Sequence, residues 1–220
     1  MRKIKWLSKQ ARIAHDKAID NGELTTSHIQ FDEMEAYEHT PLKPLSIALA
    51  VRVKTLQIVD SGVATMNAKG HLAETSLAKY GHRSDTRGDA CLEVMRAVKR
   101  VAKPKLTITC DSKTNYPTLI KSVIPNATVN TVLSVKKKRG DKKEDPLFAI
   151  NTTCANLRQD LAVLARKTMS TLKKADTLQD LLNIYIAYNN GYDITSLAIK
   201  SELPKNPKKS NKRKTKKKTA

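Results

Sequence analysis

The sequence predicts an α/β domain built on a β-sheet of mixed direction. Three observations predict it. Residues 28–66 hold three consecutive runs of strand character, residues 89–135 alternate helical and strand periods, and two helical runs follow position 145. Strands joined directly pair antiparallel, whereas a strand–helix–strand crossover makes its strands parallel, so this order predicts both directions in one sheet with helices on its faces.

Residues 1–27 read as a basic helical lead-in. Trp6, Ile13 and Ala14 are apolar among Lys and Arg, and Asn21-Gly22 supplies a helix stop. The main body is residues 28–190. His28–Tyr37 alternates, with Ile29 and Phe31 on one face and Gln30 and Asp32 on the other. Pro41 and Pro44 mark a turn, and Leu45–Val53 is apolar almost throughout, as in a strand covered on both faces. Leu56–Met66 completes an antiparallel meander. A polar loop over Asn67–Gly88 follows, rich in Lys, His, Ser and Gly. Asp89–Lys103 then sets Leu92, Val98 and Val101, with Met95 or Ala97, at helical spacing and stops at Pro104. Leu106–Asp111 is a short strand ending in an acid, Thr114–Pro125 a short helix, and Ala127–Val135 the last strand.

Lys136–Lys143 is a basic loop. Asp145 as N-cap and Pro146 as first helical residue open a helix running to about Thr168, with Ile150, Cys154, Leu157, Leu161 and Leu164 on its apolar face. A second helix spans Leu178–Tyr188. Residues 191–220 form a basic tail whose composition predicts disorder.

Charge narrows the function. Forty-one Lys and Arg against 21 Asp and Glu leave a formal net charge of +20. Nine of those basic residues lie after Pro204 with no acid among them, so the rest still carries about +11. Each phosphate neutralised by a cation releases condensed counterions, which makes double-stranded DNA the first partner to consider. The longest apolar stretch, Leu45–Val51, falls far short of the ~20 residues of a membrane helix, and no signal-peptide block follows the basic N-terminus. Three dispersed cysteines suit a reducing, cytoplasmic setting and show no zinc-ligand spacing with the histidines. No Gly-rich phosphate loop or nucleophile–histidine pairing is present, and 4% aromatic content argues against a base-stacking platform.

Two acids stand out by position. Asp32 lies within the first strand and Asp111 ends the fourth. If those strands are neighbours, the carboxylates converge and offer hard oxygen ligands to Mg²⁺ (or Mn²⁺), the chemistry of phosphodiester cleavage. Pattern alone leaves a plainer alternative, acids that face solvent or cap turns. Candidate DNA-binding cations are Lys136, Lys137, Lys138, Arg139, Lys142 and Lys143 in the loop, with Arg158, Arg166 and Lys167 on the long helix. A solvated surface is the alternative for each.

The segments QFDEMEAYEHTPLKPLSIALAV, ITCDSKTNYPTLIKSVIPNA and DPLFAINTTCANLRQDLAVLARKTMSTLKKADTLQDLLNIYIAYNN occur in this order. Together they resemble the catalytic region of bacterial insertion-sequence transposases, the IS1-like group above all, over most of 5–190. The resemblance implies an RNase H-like fold, with residues 28–190 as its catalytic domain. It also implies a DDE-type metal site and metal-dependent cleavage and strand transfer at element ends during DNA transposition. Asp32 in QFDEM matches the first acid and Asp111 in TCDSK the second. The third position falls on Asn151, whose amide oxygen is a weaker ligand than a carboxylate, and Glu144 and Asp145 are acids close by. The metal set is therefore Asp32 and Asp111 with Asn151 or Glu144. The zinc and helix-turn-helix module usual in that group has no counterpart here, so the resemblance implies either a separate DNA-recognition polypeptide or a truncated remnant that only binds DNA. It further implies a nucleoid-associated protein that acts as a homo-oligomer. Charge alone would also fit an RNA- or ribosome-associated protein.

Overall fold

A computed structural model describes residues 2–133, 141–165 and 174–194. The expected lead-in is a 19-residue helix, α1 (Arg2–Asp20), whose chain reverses at Gly22 with φ +77°. Three strands follow as a meander: β1 (Thr26–Tyr37), β2 (Pro44–Arg52) and β3 (Ile58–Thr65). Beyond them come α2 (Ala73–Tyr80), α3 (Arg87–Val101), β4 (Ala102–Asp111), α4 (Tyr116–Val123) and β5 (Thr128–Val132). The helices α5 (Phe148–Asp160), α6 (Ala162–Ala165) and α7 (Ala175–Asn189) complete the described chain. The strands form one sheet in the order β3-β2-β1-β4-β5. β2 runs antiparallel to β1 and β3, and β4 is parallel to β1 and β5. The predicted α/β class and mixed sheet are therefore present.

Two aliphatic cores sandwich the sheet. On one side Ile29, Phe31, Ile108 and Cys110 pack with Met95, Val98 and Ile120 of α3 and α4. On the other, Met34, Ile47 and Leu49 pack with Ile150, Leu157, Leu178 and Leu182 of α5 and α7. β2 is buried from Leu45 to Val51, as its continuous apolar run requires. Gly62 lets α3 approach β3 closely, since a Cβ there would stand 3.0 Å from the Ala90 carbonyl.

Three expectations need correction. Residues 67–88 are not simply a loop, because a short 3-10 turn at Gly70–Leu72 leads into α2. Only Ser76 of α2 is buried, so no apolar stripe betrayed it. Pro104 does not end a helix but sits within β4, where the pairing with β1 skips from Ala102 to Thr107 and no ladder bond is asked of it. The long helix after Asp145 breaks at Leu161, which is extended (ψ 96°), while the Asp160 carboxylate accepts the Tyr185 hydroxyl at 3.0 Å and ties α5 to α7. The lead-in helix α1 also packs on the body, for Ala11, His15, Ala18 and Ile19 are buried.

The outer side of β3 is closed by side chains instead of a strand. Asn190 accepts from the Ile58 N–H and donates to the Ile58 carbonyl at 2.9 and 2.8 Å. Gln179 does the same for the Val63 N–H and the Ser61 carbonyl. Thr86 accepts from the Thr65 N–H and donates its own N–H back to the Thr65 carbonyl. From α1, His15 Nε2 donates to the Val59 carbonyl at 2.8 Å, while the buried Nδ1 has no hydrogen-bond partner.

Burial above all holds the His15 imidazole below its ordinary pKa, with Arg12 adding to the effect and Asp60 and Asp16 opposing it. Stability from this group is thus present above the unfolded value near ~6.5 and is lost as pH falls through the depressed folded value. The unfolding free energy from urea melts should drop between pH 7.5 and 5.5, towards a limit of about 1.4 kcal/mol for each unit of depression. His15→Gln, which keeps the donor to Val59, should flatten that dependence; an unchanged slope would place the acid sensitivity elsewhere.

Candidate active site

β1 and β4 are neighbours at the centre of the sheet, and their register pairs Phe31 with Cys110. Asp32 and Asp111 are the next residues on each strand. Phe31 and Cys110 belong to the α3/α4 core, so alternation turns both acids to the opposite side, where α5 packs. Each carboxylate is steadied locally: Asp32 Oδ1 accepts the Glu33 N–H, and Asp111 Oδ1 the Ser112 N–H, both at 2.8 Å. Burial, then the charges of Asp111 and Glu33, raise the Asp32 carboxyl above the usual range despite hydrogen bonds from the Glu33 N–H and Tyr116. A half-buried acid beside a second acid is a site that favours a proton or a cation.

The third sequence candidate reaches this side through an unexpected connector. Gln30, two residues before Asp32 and 4% exposed, donates its amide to the Pro146 carbonyl at 2.8 Å and accepts the Ile150 N–H at 2.9 Å. Its side chain thus replaces the 150→146 helical hydrogen bond and fastens the start of α5 to β1. This also explains why α5 begins at Phe148 instead of Pro146. Asp145 is not the N-cap of the helix; its Oδ1 accepts the Leu147 N–H in a turn just ahead of it. The same carboxylate holds Asn151, whose Nδ2 donates to Asp145 Oδ2 at 2.9 Å. With its nitrogen so engaged, Asn151 retains a carbonyl oxygen as its only metal-ligating atom. Glu144 is exposed in the preceding turn, apart from the buried Asp145.

Behind the acid pair lies a cluster that strand alternation alone would not single out. Glu33 pairs with Lys113, accepts the Ser46 hydroxyl at 2.8 Å and accepts the Tyr116 phenol at 3.0 Å, with Asp32 Oδ1 3.4 Å from the same hydroxyl. Burial works to raise the Glu33 carboxyl, but the hydrogen bonds from Lys113, Ser46 and Tyr116 and the Lys113 charge outweigh it and leave it below the ordinary range. Tyr116 is fully buried against the edge of Phe31, so it forms a fixed bridge between the two neighbouring acids. The one available sequence signal was the acid doublet Asp32-Glu33 itself.

The cation candidates divide. Lys142, Lys143 and Arg158 are exposed, the first two in the turn before α5 and the third near its end. Lys136, Lys137, Lys138, Arg139, Arg166 and Lys167 lie outside the described residues, as does the tail after position 194. Among the described residues no three His, Cys, Asp or Glu side chains form a group able to hold an ion, and no helix is long and apolar enough to cross a membrane. The donors brought together are thus two carboxylates, with one amide oxygen on the helix that packs over their side of the sheet. No protein-family model matches this chain, and no curated protein matches it.

Proposed function

We propose that the chain is the catalytic part of a DNA transposase with an RNase H-like fold, cutting and joining DNA with the help of Mg²⁺ or Mn²⁺. The observation that carries this reading is the placement of Asp32 and Asp111 side by side on adjacent parallel strands at the sheet's centre. The resemblance of three ordered segments to insertion-sequence transposases and the net charge of +20 support it from the sequence. The donor set fits a divalent cation in its chemistry, since two hard oxygen ligands share a site where one carboxyl is already held above its usual range. Asp32 and Asp111 would hold the metal, with Asn151 as the neutral third ligand in preference to the exposed Glu144. A bound divalent ion supplies Lewis-acid stabilisation of the attacking and departing oxygens. The chain's own part is positional: Gln30 fixes α5 against β1, Asp145 aims Asn151, and Tyr116 with Lys113 keeps Glu33 engaged and out of the metal set.

The test is Mg²⁺- or Mn²⁺-dependent nicking and joining of labelled duplex DNA by the wild type beside Asp111→Ala. Product from the wild type alone is expected, with a loss of about 10³-fold or more in the variant, because several kcal/mol of charge stabilisation are removed. DNA binding without product from either protein would reduce the chain to a DNA-binding remnant.

A further inference from the structure

The positive charge of α1 is unevenly placed. Arg2, Lys3, Lys5 and Lys9 are exposed, and Asp16 is the helix's first acid. Its two acids are occupied, Asp16 by Arg12 and Arg100 and Asp20 by Arg100. Three of the four cations fall in the first turn and a half, where the helix dipole is already positive and cations are disfavoured. An arrangement that the helix itself disfavours gains most from an anion brought from outside.

The helix is also held rigidly in a defined place. It is tied to β3 by Arg12, next along the stripe from Lys5 and Lys9, on Asp60 at 2.7 Å, and by the buried His15 on Val59. Ser8 accepts from Asn183, which in turn accepts from Gln179, the residue bonded to Ser61 and Val63. Moving from His15 to Ser8 therefore follows β3 from Val59 towards Val63. Registers place Asp32 opposite Leu49 and Leu49 opposite Ser61. Residues 2–9 of α1 thus run beyond the level of Asp32, towards the end of the sheet at which β4 terminates in Asp111. Two strand spacings of about 4.8 Å and a helix packing distance of about 10 Å put this face about 20 Å from the acid pair, or about six base pairs of duplex.

We infer that the exposed first half of α1, through Arg2, Lys3, Lys5 and Lys9, is a docking surface for the phosphate backbone of duplex DNA flanking the acid pair. The surface rests on the reading of a DNA-cutting site for its orientation, but its charge and rigidity stand apart from catalysis. It gives the chain a hold on the duplex that requires neither the basic stretch at 136–143 nor the residues after 194.

The test uses the full chain, a labelled 20-base-pair duplex and a chelator, so that only binding is read. Each phosphate contact contributes about 0.9 to the slope of log affinity against log salt concentration. Lys5→Gln/Lys9→Gln should lower the slope by nearly 2, and affinity at low salt should fall at least tenfold. Lys103→Gln/Lys105→Gln removes the same charge from exposed residues at the far end of β4 and should change the slope by clearly less. Equal effects from both pairs would overturn the inference by showing a diffuse charge effect. Tighter binding of the wild type to phosphatidylserine vesicles than to the duplex would overturn it in favour of a membrane-facing helix. Because metal is absent, failure here leaves Asp111-dependent cleavage standing, and failure of cleavage leaves the α1 contact standing.

Discussion

Gln30→Leu should lower stability by about 2–6 kcal/mol. Leucine is close to glutamine in size, so the loss does not come from a cavity. It comes from two buried backbone groups, the Pro146 carbonyl and the Ile150 N–H, that lose their bridging partner. Each such orphaned group costs about 1–3 kcal/mol. Urea unfolding followed by circular dichroism would measure it. Gln30→Glu refines the test, for when ionised it can still accept from Ile150 but sets an unpaired buried charge against the Pro146 carbonyl, and should lose at least as much at neutral pH. If Gln30→Leu unfolds at the wild-type midpoint, α5 is held in place by its apolar face alone. In nicking assays on folded protein, the same variant should lose activity, since the helix that presents Asn151 is no longer tied two residues from Asp32.

Asp32→Asn should do the reverse to stability while abolishing cleavage. Asparagine keeps an oxygen for the Glu33 N–H and can donate its amide to Asp111, so the fold is retained. The wild-type carboxyl is held above its ordinary value by burial first and by the nearby charges of Asp111 and Glu33. The native state therefore binds that proton more tightly than the unfolded chain does. Its contribution is present in acid and is lost as pH rises through the raised value. At neutral pH the substitution removes that cost, and Tm should rise by about 2–4 °C for each kcal/mol relieved. The gain should vanish below the unfolded carboxylate value of about 4. Cleavage should fall about 10³-fold or more, from the loss of several kcal/mol of transition-state stabilisation. An inactive protein that is more stable at pH 7 and no more stable in acid is the signature of a functional site with strained charge. Retained cleavage would remove Asp32 from the metal set.

The strands were legible because burial leaves a period in the sequence. Ile29 and Phe31 alternate into one core, and the unbroken run of β2 reflects cover on both sides. Asp32 and Asp111 could be picked out by their positions, one within the first strand and one at the end of the fourth, together with the resemblance that pairs them. What joins them to α5 could not. Gln30 shares Asp32's face and reads as a solvent residue, yet it bonds to positions 116 and 120 residues away, and no local spacing encodes that partnership. Asp145 and Pro146 carry the usual marks of a helix start, but Gln30 takes over the hydrogen bond that would have made Pro146 helical. α2 escaped notice for the opposite reason, having too little buried surface to leave a stripe.

The sealed side of β3 bears on how copies of this chain could assemble. Asn190, Gln179 and Thr86 occupy backbone groups that an incoming strand would need. The sheet's other margin is β5, where no further strand pairs among the described residues. A sheet that can grow on one side only is a chain terminator in polymer terms. Two copies joined through β5 use up both free margins and stop at a symmetric pair, so edge-to-edge growth into fibres has no second site from which to propagate.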